Sequence, residues 1–208
     1  KISNWISGSD LNDGKRISLG SAVRVNDKIY LLGGATWTNG GSPVVSSDIF
    51  VSTINSADGS LSSWNYANKS MPTSLFEHGA VAVGNKIILI GGSLDSNFSS
   101  TNKIWSTSVN SDGSLNDWQT ETNLPFTSRR SMVTIGNGYL VHAGGVVNGN
   151  ISNQVWYASI DNSGNLGNWA QSSNNLPGIA CCAAIVANGS QLYILGGYGS
   201  DYLDSVWS

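Results

Sequence analysis

Apolar residues in this chain gather in short runs separated by polar turns, and the runs predict β-strands. The stretch from 79 to 119 shows the pattern most clearly. Gly79-Ala-Val-Ala-Val83 reads as a small-residue strand, Gly84-Asn85 as a tight turn, and Lys86-Ile-Ile-Leu-Ile90 as a second, more apolar strand that ends at Gly91-Gly92. A polar loop from 93 to about 101 follows. Lys103-Ile-Trp-Ser-Thr-Ser-Val109 alternates as a third strand, Asn110-Ser-Asp-Gly113 is a hairpin turn, and Ser114-Leu-Asn-Asp-Trp-Gln119 is a fourth strand. The expected unit is a four-stranded antiparallel meander.

The unit recurs. Glycine pairs stand at Gly33-Gly34, Gly91-Gly92, Gly144-Gly145 and Gly196-Gly197, so their first members are 58, 53 and 52 residues apart; Trp5, Trp64, Trp118 and Trp169 follow a similar period. Self-similarity at this spacing is the mark of a repeat architecture, in which units that each hold part of a core must stack to bury it, and the chain therefore reads as one domain. Asp58-Gly59 and Asp112-Gly113 suggest two-residue type I′ hairpins, with Ser163-Gly164 a weaker variant. Each closing tryptophan comes three residues after Leu61, Leu115 or Leu166. On a regular strand an odd spacing puts the two on opposite faces.

Ile29-Tyr-Leu-Leu-Gly-Gly34, Ile87-Ile-Leu-Ile-Gly-Gly92 and Leu192-Tyr-Ile-Leu-Gly-Gly197 are each followed by a strand carrying Phe50, Trp105 or Trp207, with Leu140-Val-His-Ala-Gly-Gly145 as a degenerate copy. These segments resemble the kelch-repeat family over essentially the whole chain. They depart from it in lacking a regular Arg-His before the first strand and in ending on Asp-Gly-x-Leu-x-x-Trp. The resemblance implies an all-β fold, a β-propeller of four repeats of four-stranded blades, at about 19–66, 77–120, 129–171 and 180–208 plus 1–8. Lys1-Ile-Ser-Asn-Trp5 aligns with the fourth strand Ser60-Leu-Ser-Ser-Trp64, whereas Ser205-Val-Trp-Ser208 aligns with a third strand. Either the N-terminal strand completes the last blade of a closed ring, or the chain is a window of a larger array. In the second case the terminal strand is an edge that favours self-assembly.

Charged residues make up 11% of the chain, against roughly 25% in typical soluble proteins. With a net charge of −3 there is no basic stripe, which argues against nucleic-acid partners. No apolar run approaches the roughly 18 residues of a membrane-spanning helix, so membrane insertion is not expected. The chain starts at Lys1 without a charged-then-apolar leader, as expected of a processed or cropped sequence. Cys181 and Cys182 are adjacent; on an extended strand their side chains point to opposite faces, so a bridge between them would be strained. Sequons at Asn68, Asn97, Asn150 and Asn188 are glycan acceptors in a eukaryotic secretory setting, although a chain rich in Asn and Ser produces chance matches.

In the propeller that the resemblance implies, two sets of loops share the rim around the channel mouth. On that rim the candidate binding residues are Arg16, Trp37, Glu77 and His78 from the first two units, and Arg129, Arg130, Tyr198 and Tyr202 from the last two. Lys15, Phe98 and Asn148 belong to the same loops. Aromatic faces mixed with Arg, Glu and Asn suit a neutral polyol such as a sugar, with flat faces for its C–H surface and donors and acceptors for its hydroxyls. Arg129-Arg130 must lie near an anion, either Glu121 or Glu77 as a structural pair or a bound carboxylate. His142 replaces an aliphatic residue of the second strand and is expected in the core. The Asp-Gly turns lack the closing glutamate of a calcium loop, and no Ser-His-Asp set, phosphate loop or zinc spacing is present.

Kelch relatives include copper radical oxidases and sialic acid mutarotases. The first need two histidines and a cross-linked tyrosine, which His142 and the inner-strand Cys181-Cys182 do not supply. The expected function is a non-enzymatic recognition or assembly module, secreted or at a cell surface, without a cofactor, binding a glycan or protein through rim loops. The alternatives are a small mutarotase-like sugar-active enzyme and a structural tile of a filament or larger ring.

Overall fold

The computed structural model describes residues 8–11, 16–37 and 41–208. All regular elements among them are strands, and no helix is long and apolar enough to cross a membrane. Three four-stranded antiparallel sheets follow the predicted meander. The first runs Ser21–Val25, Lys28–Leu32, Ile49–Thr53, Asn65–Tyr66, and the second Gly79–Val83, Lys86–Ile90, Ile104–Ser108, Gln119–Thr120. The third runs Met132–Gly136, Tyr139–Ala143, Val155–Ile160, Leu166–Gln171. A fourth has three strands, Ala184–Asn188, Gln191–Leu195 and Val206–Trp207.

These sheets are blades stacked through their first strands. Ser21–Val25 packs on Gly79–Val83, that strand on Met132–Gly136, and that one on Ala184–Asn188; among the described residues no comparable packing joins the fourth blade to the first. An open cleft lined by Val23, Arg24, Ala80, Ala82, Val133 and Thr134 lies beside the first strands of the first three blades. Of the spare fourth strand expected at residues 1–8, residues 1–7 lie outside the described residues.

Two expectations are corrected. Leucine and tryptophan of the closing strand do not face opposite ways: Leu115 and Trp118 both pack in the cluster of Val25, Tyr30, Leu32 and Met71, and Leu166 and Trp169 both join that of Ile88, Ile104 and Leu124. The cause is a β-bulge. Leu166 pairs with Ile160 and Trp169 with Ala158, so three residues on one strand match two on the other, and the odd spacing becomes a same-face pair. The closing strands of the second and third blades thereby pack against the preceding blade.

The Asp-Gly hairpins are also not type I′. Asn110 donates its N–H to the Ser114 carbonyl across a three-residue loop in which Gly113 has φ 88° and Asp112 keeps a negative φ. The Asp112 carboxylate instead accepts the Ser114 hydroxyl and N–H, which holds it below the usual carboxylate range. Tyr30 of the first blade donates its hydroxyl to the Gly113 carbonyl at 2.8 Å, tying this turn to its neighbour.

The glycine pairs sit at the blade junctions. Gly34, Gly92 and Gly145 donate their N–H groups to the carbonyls of Leu75, Ser128 and Ala180 in the next blade, at 2.8, 2.7 and 2.7 Å. The preceding glycine must let that carbonyl in. A Cβ on Gly91, where φ is 60°, would stand 2.6 Å from the Ser128 oxygen. At Gly196, with no following blade beside it among the described residues, the nearest atom would be the Leu203 oxygen at 3.5 Å.

Candidate functional site

Two residues before the first strand of each blade, the chain takes a left-handed turn. The residues there are Leu19, Glu77, Arg130 and Cys182, with φ of 56°, 57°, 55° and 61°. None is a glycine, and such a conformation costs roughly 1–3 kcal/mol at each position. It persists because neighbouring blades bond through it. Glu77 donates its N–H to the Leu19 carbonyl at 2.8 Å, Arg130 to Glu77 at 2.8 Å, and Cys182 to Arg130 at 3.1 Å. The residue before each one bridges the residue that follows the glycine pair: Ser18 to Ala35, Phe76 to Ser93, Arg129 to Val146 and Cys181 to Tyr198. A ladder of equivalent positions thus links the four blades in series, and each blade contributes a different side chain to it.

Glu77 is the anion that the two arginines required. Its carboxylate is fully enclosed and accepts Arg130 Nε at 2.6 Å on Oε1, with Arg129 Nη1 at 3.2 Å and Ser93 Oγ at 3.1 Å on Oε2. Burial acts to lower the basicity of Arg130, but the hydrogen bond and charge of Glu77 prevail and hold it above its ordinary value. Glu121, the other candidate anion, pairs with Lys86 at 3.2 Å and accepts Ser106 Oγ at 2.6 Å. Two guanidinium groups facing one carboxylate leave a surplus positive charge, and the Arg130 side chain is 36% exposed.

An aromatic row runs up to this cluster. Arg129 and Arg130 lie over the ring of Phe98, with Cζ 5.4 and 5.8 Å from its centroid. Phe98 packs on buried Phe76 at 5.4 Å, and exposed Trp37 meets Phe76 edge-on at 6.0 Å. Phe98 is held out on its loop at φ 61° by Asp95, whose Oδ1 accepts the N–H groups of Asn97 and Ser99. Cation–π contact of this kind contributes about 0.5–2 kcal/mol.

The remaining candidates separate. Tyr198 and Tyr202 pair edge-on at 5.5 Å in the loop after the fourth glycine pair, both exposed. Asn148 accepts the Thr127 N–H on Oδ1 and serves its own loop. Arg16 is exposed, with its carbonyl bonded by Thr36 Oγ1, and Lys15 lies outside the described residues. His78, expected to face the mouth, is buried instead; burial lowers its pKa to about 4, and neither ring nitrogen has a hydrogen-bond partner. A single residue of offset from the left-handed Glu77 turns it into the core. His142 is buried as expected, with Nε2 2.7 Å from Ser128 Oγ and its ring against Phe126.

The cysteine pair departs from the extended-strand expectation. Because Cys182 takes the left-handed turn, the two Sγ atoms lie 3.3 Å apart and share a hydrogen bond. Cys181 is buried and Cys182 exposed. The bond with Cys181 and the charge of Arg130 lower the Cys182 pKa, against the opposing effect of burial. Ser93 and Leu19 were not singled out from sequence, and Cys182 was not counted among the binding candidates, yet the period of 58, 53 and 52 that relates the glycine pairs also relates Leu19, Glu77, Arg130 and Cys182. Among the described residues, no group of three His, Cys, Asp or Glu side chains is placed to hold a metal ion.

Residues 20–208 match the KLHDC2/KLHL20/DRC7 kelch-repeats domain. The chain belongs to the kelch-repeat family. The solved structure described as "Structure of YjhT" is similar to it in fold, with a TM-score of 0.61 at 13% identity over 93% of this chain and 81% of that one. No curated protein sequence matches the chain. In kelch terms, the glycine pairs lie at the blade junctions, and a left-handed residue two positions before each first strand bonds one blade to the next.

Proposed function

We propose that this kelch domain is a recognition module that receives an acidic segment of a protein partner at the channel mouth. The observation that carries this reading is the surplus charge of Arg129 and Arg130 over Glu77, presented beside Phe98 and Trp37. A carboxylate on the partner completes the charge balance through guanidinium N–H groups that Glu77 does not occupy, and the aromatic row offers apolar surface next to it. The proposed setting is extracellular or cell-surface, in keeping with a surface rich in uncharged Ser, Asn and Thr.

A sugar-active enzyme would need a carboxylate free to exchange a proton. Both oxygens of Glu77 are engaged by donors, which favours a structural role for it and a binding role for the site. The test is a binding panel of acidic peptides, their Asn/Gln counterparts, and acidic and neutral oligosaccharides, with a mutarotation assay alongside. Acidic peptides should bind, and Arg130→Gln should weaken them by about 10- to 100-fold, as expected for a charge-assisted hydrogen bond. Equal binding of uncharged counterparts would overturn the proposal, and so would selectivity for oligosaccharides or sugar turnover.

A further inference from the structure

The fourth blade brings a different chemistry to the mouth. We propose that Cys181 and Cys182 form a reversible dithiol–disulfide site that is oxidised by low-molecular-weight disulfides. The two sulfur atoms already lie 3.3 Å apart, and a bond requires them to close to about 2.05 Å. The left-handed conformation of Cys182 makes this approach available, and the same conformation is imposed by the inter-blade hydrogen bond from Cys182 N–H to the Arg130 carbonyl. Blade stacking therefore pre-positions the pair.

The two thiols have distinct roles. Cys182 is exposed and lies near the Arg130 guanidinium, whose charge favours the thiolate. It is the attacking group. Its thiolate bonds to one sulfur of a disulfide RSSR, the S–S bond breaks, and one RS⁻ leaves. Buried Cys181 then loses its proton to the released thiolate and attacks Cys182 Sγ, expelling the second RS⁻. Two cysteine thiols are oxidised by two electrons, and RSSR is reduced to two RSH.

The product is an eight-membered ring across a trans peptide, whose Cα atoms are about 3.8 Å apart and so closer than in most disulfides. Such a bond is strained and easily reduced, which makes the site reversible and not a permanent staple. In an oxidising compartment the pair stands as the disulfide, and in a reducing one as the dithiol. The inference is independent of what binds beside Arg130.

The test is incubation of the full chain with oxidised glutathione, followed by intact mass and free-thiol titration, then reversal with a reducing dithiol. The wild-type chain should lose both titratable thiols and two hydrogens with no retained glutathione. Cys181→Ser should instead trap a glutathione adduct on Cys182, and Cys182→Ser should react at least about tenfold more slowly, since it leaves only the buried thiol. A stable adduct on wild-type Cys182 with Cys181 still free, or a disulfide-linked dimer in place of the intramolecular bond, would overturn the proposal. The wild-type result decides the matter even if a variant fails to fold.

Discussion

Arg130 is joined to Glu77 twice: its N–H bonds to the Glu77 carbonyl at 2.8 Å, and its Nε to Glu77 Oε1 at 2.6 Å. The two occupy equivalent left-handed positions in neighbouring blades, so main chain and side chain reinforce one junction. The same contact that holds two blades together sets the charge of the mouth.

Glu77→Gln keeps the shape of the side chain and removes its charge. Arg129 and Arg130 then face each other without their counter-ion, and the variant should lose about 3–5 kcal/mol of stability, the range for breaking a buried pair from one side. Denaturant titration of wild type and variant at neutral pH measures this. A loss below about 1 kcal/mol would mean that the pair behaves as an exposed one.

Both histidines should make the fold acid-sensitive. His78 and His142 are buried and neutral, with pKa values near 4 in the folded chain against 6.5 unfolded. Between those values the unfolded chain binds protons that the folded chain does not, so stability is fully present above pH 6.5 and falls as pH drops toward 4. The fall should reach roughly 3 kcal/mol per histidine. Chemical denaturation midpoints across pH 4 to 7 test this, and a flat profile would show that the imidazoles gain protons without unfolding.

The bulge makes a prediction at Leu115. Because that side chain faces the preceding blade with Trp118, Leu115→Ala should cost about 2–5 kcal/mol and loosen the junction between first and second blades. Hydrogen exchange should then rise at the Gly34 N–H, which spans that junction. Exchange confined to the second blade would contradict the same-face placement.

Glycine substitutions separate conformational strain from lack of space. At Gly59 φ is 75° but nothing lies within 4 Å of an added Cβ, so Gly59→Ala should cost only about 1–2 kcal/mol. At Gly91 the Ser128 carbonyl stands in the way as well, and Gly91→Ala should be clearly worse. Similar melting temperatures for the two variants would remove the junction argument.

Much of the fold is legible in the sequence because every blade repeats the same packing demand: apolar strand, glycine pair, closing tryptophan. What escapes is whatever changes strand parity. A bulge reverses the expected facing of Leu166 and Trp169, and a left-handed residue turns Cys182 toward Cys181 and His78 into the core. The charge cluster is partly legible, since few anions were available to two adjacent arginines. The ladder of Leu19, Glu77, Arg130 and Cys182 is harder to see, because these residues share a backbone conformation and no side-chain chemistry.

In the proposed function the partner is received at the channel mouth and not on the outer edges of the blades. Backbone amide shift mapping during titration with an acidic peptide tests it most directly. The largest changes are expected at Trp37, Glu77, Phe98, Arg130 and Cys182, lost in Arg130→Gln; changes centred on the outer strands around Tyr66 or Gln119 would rule out binding at the mouth.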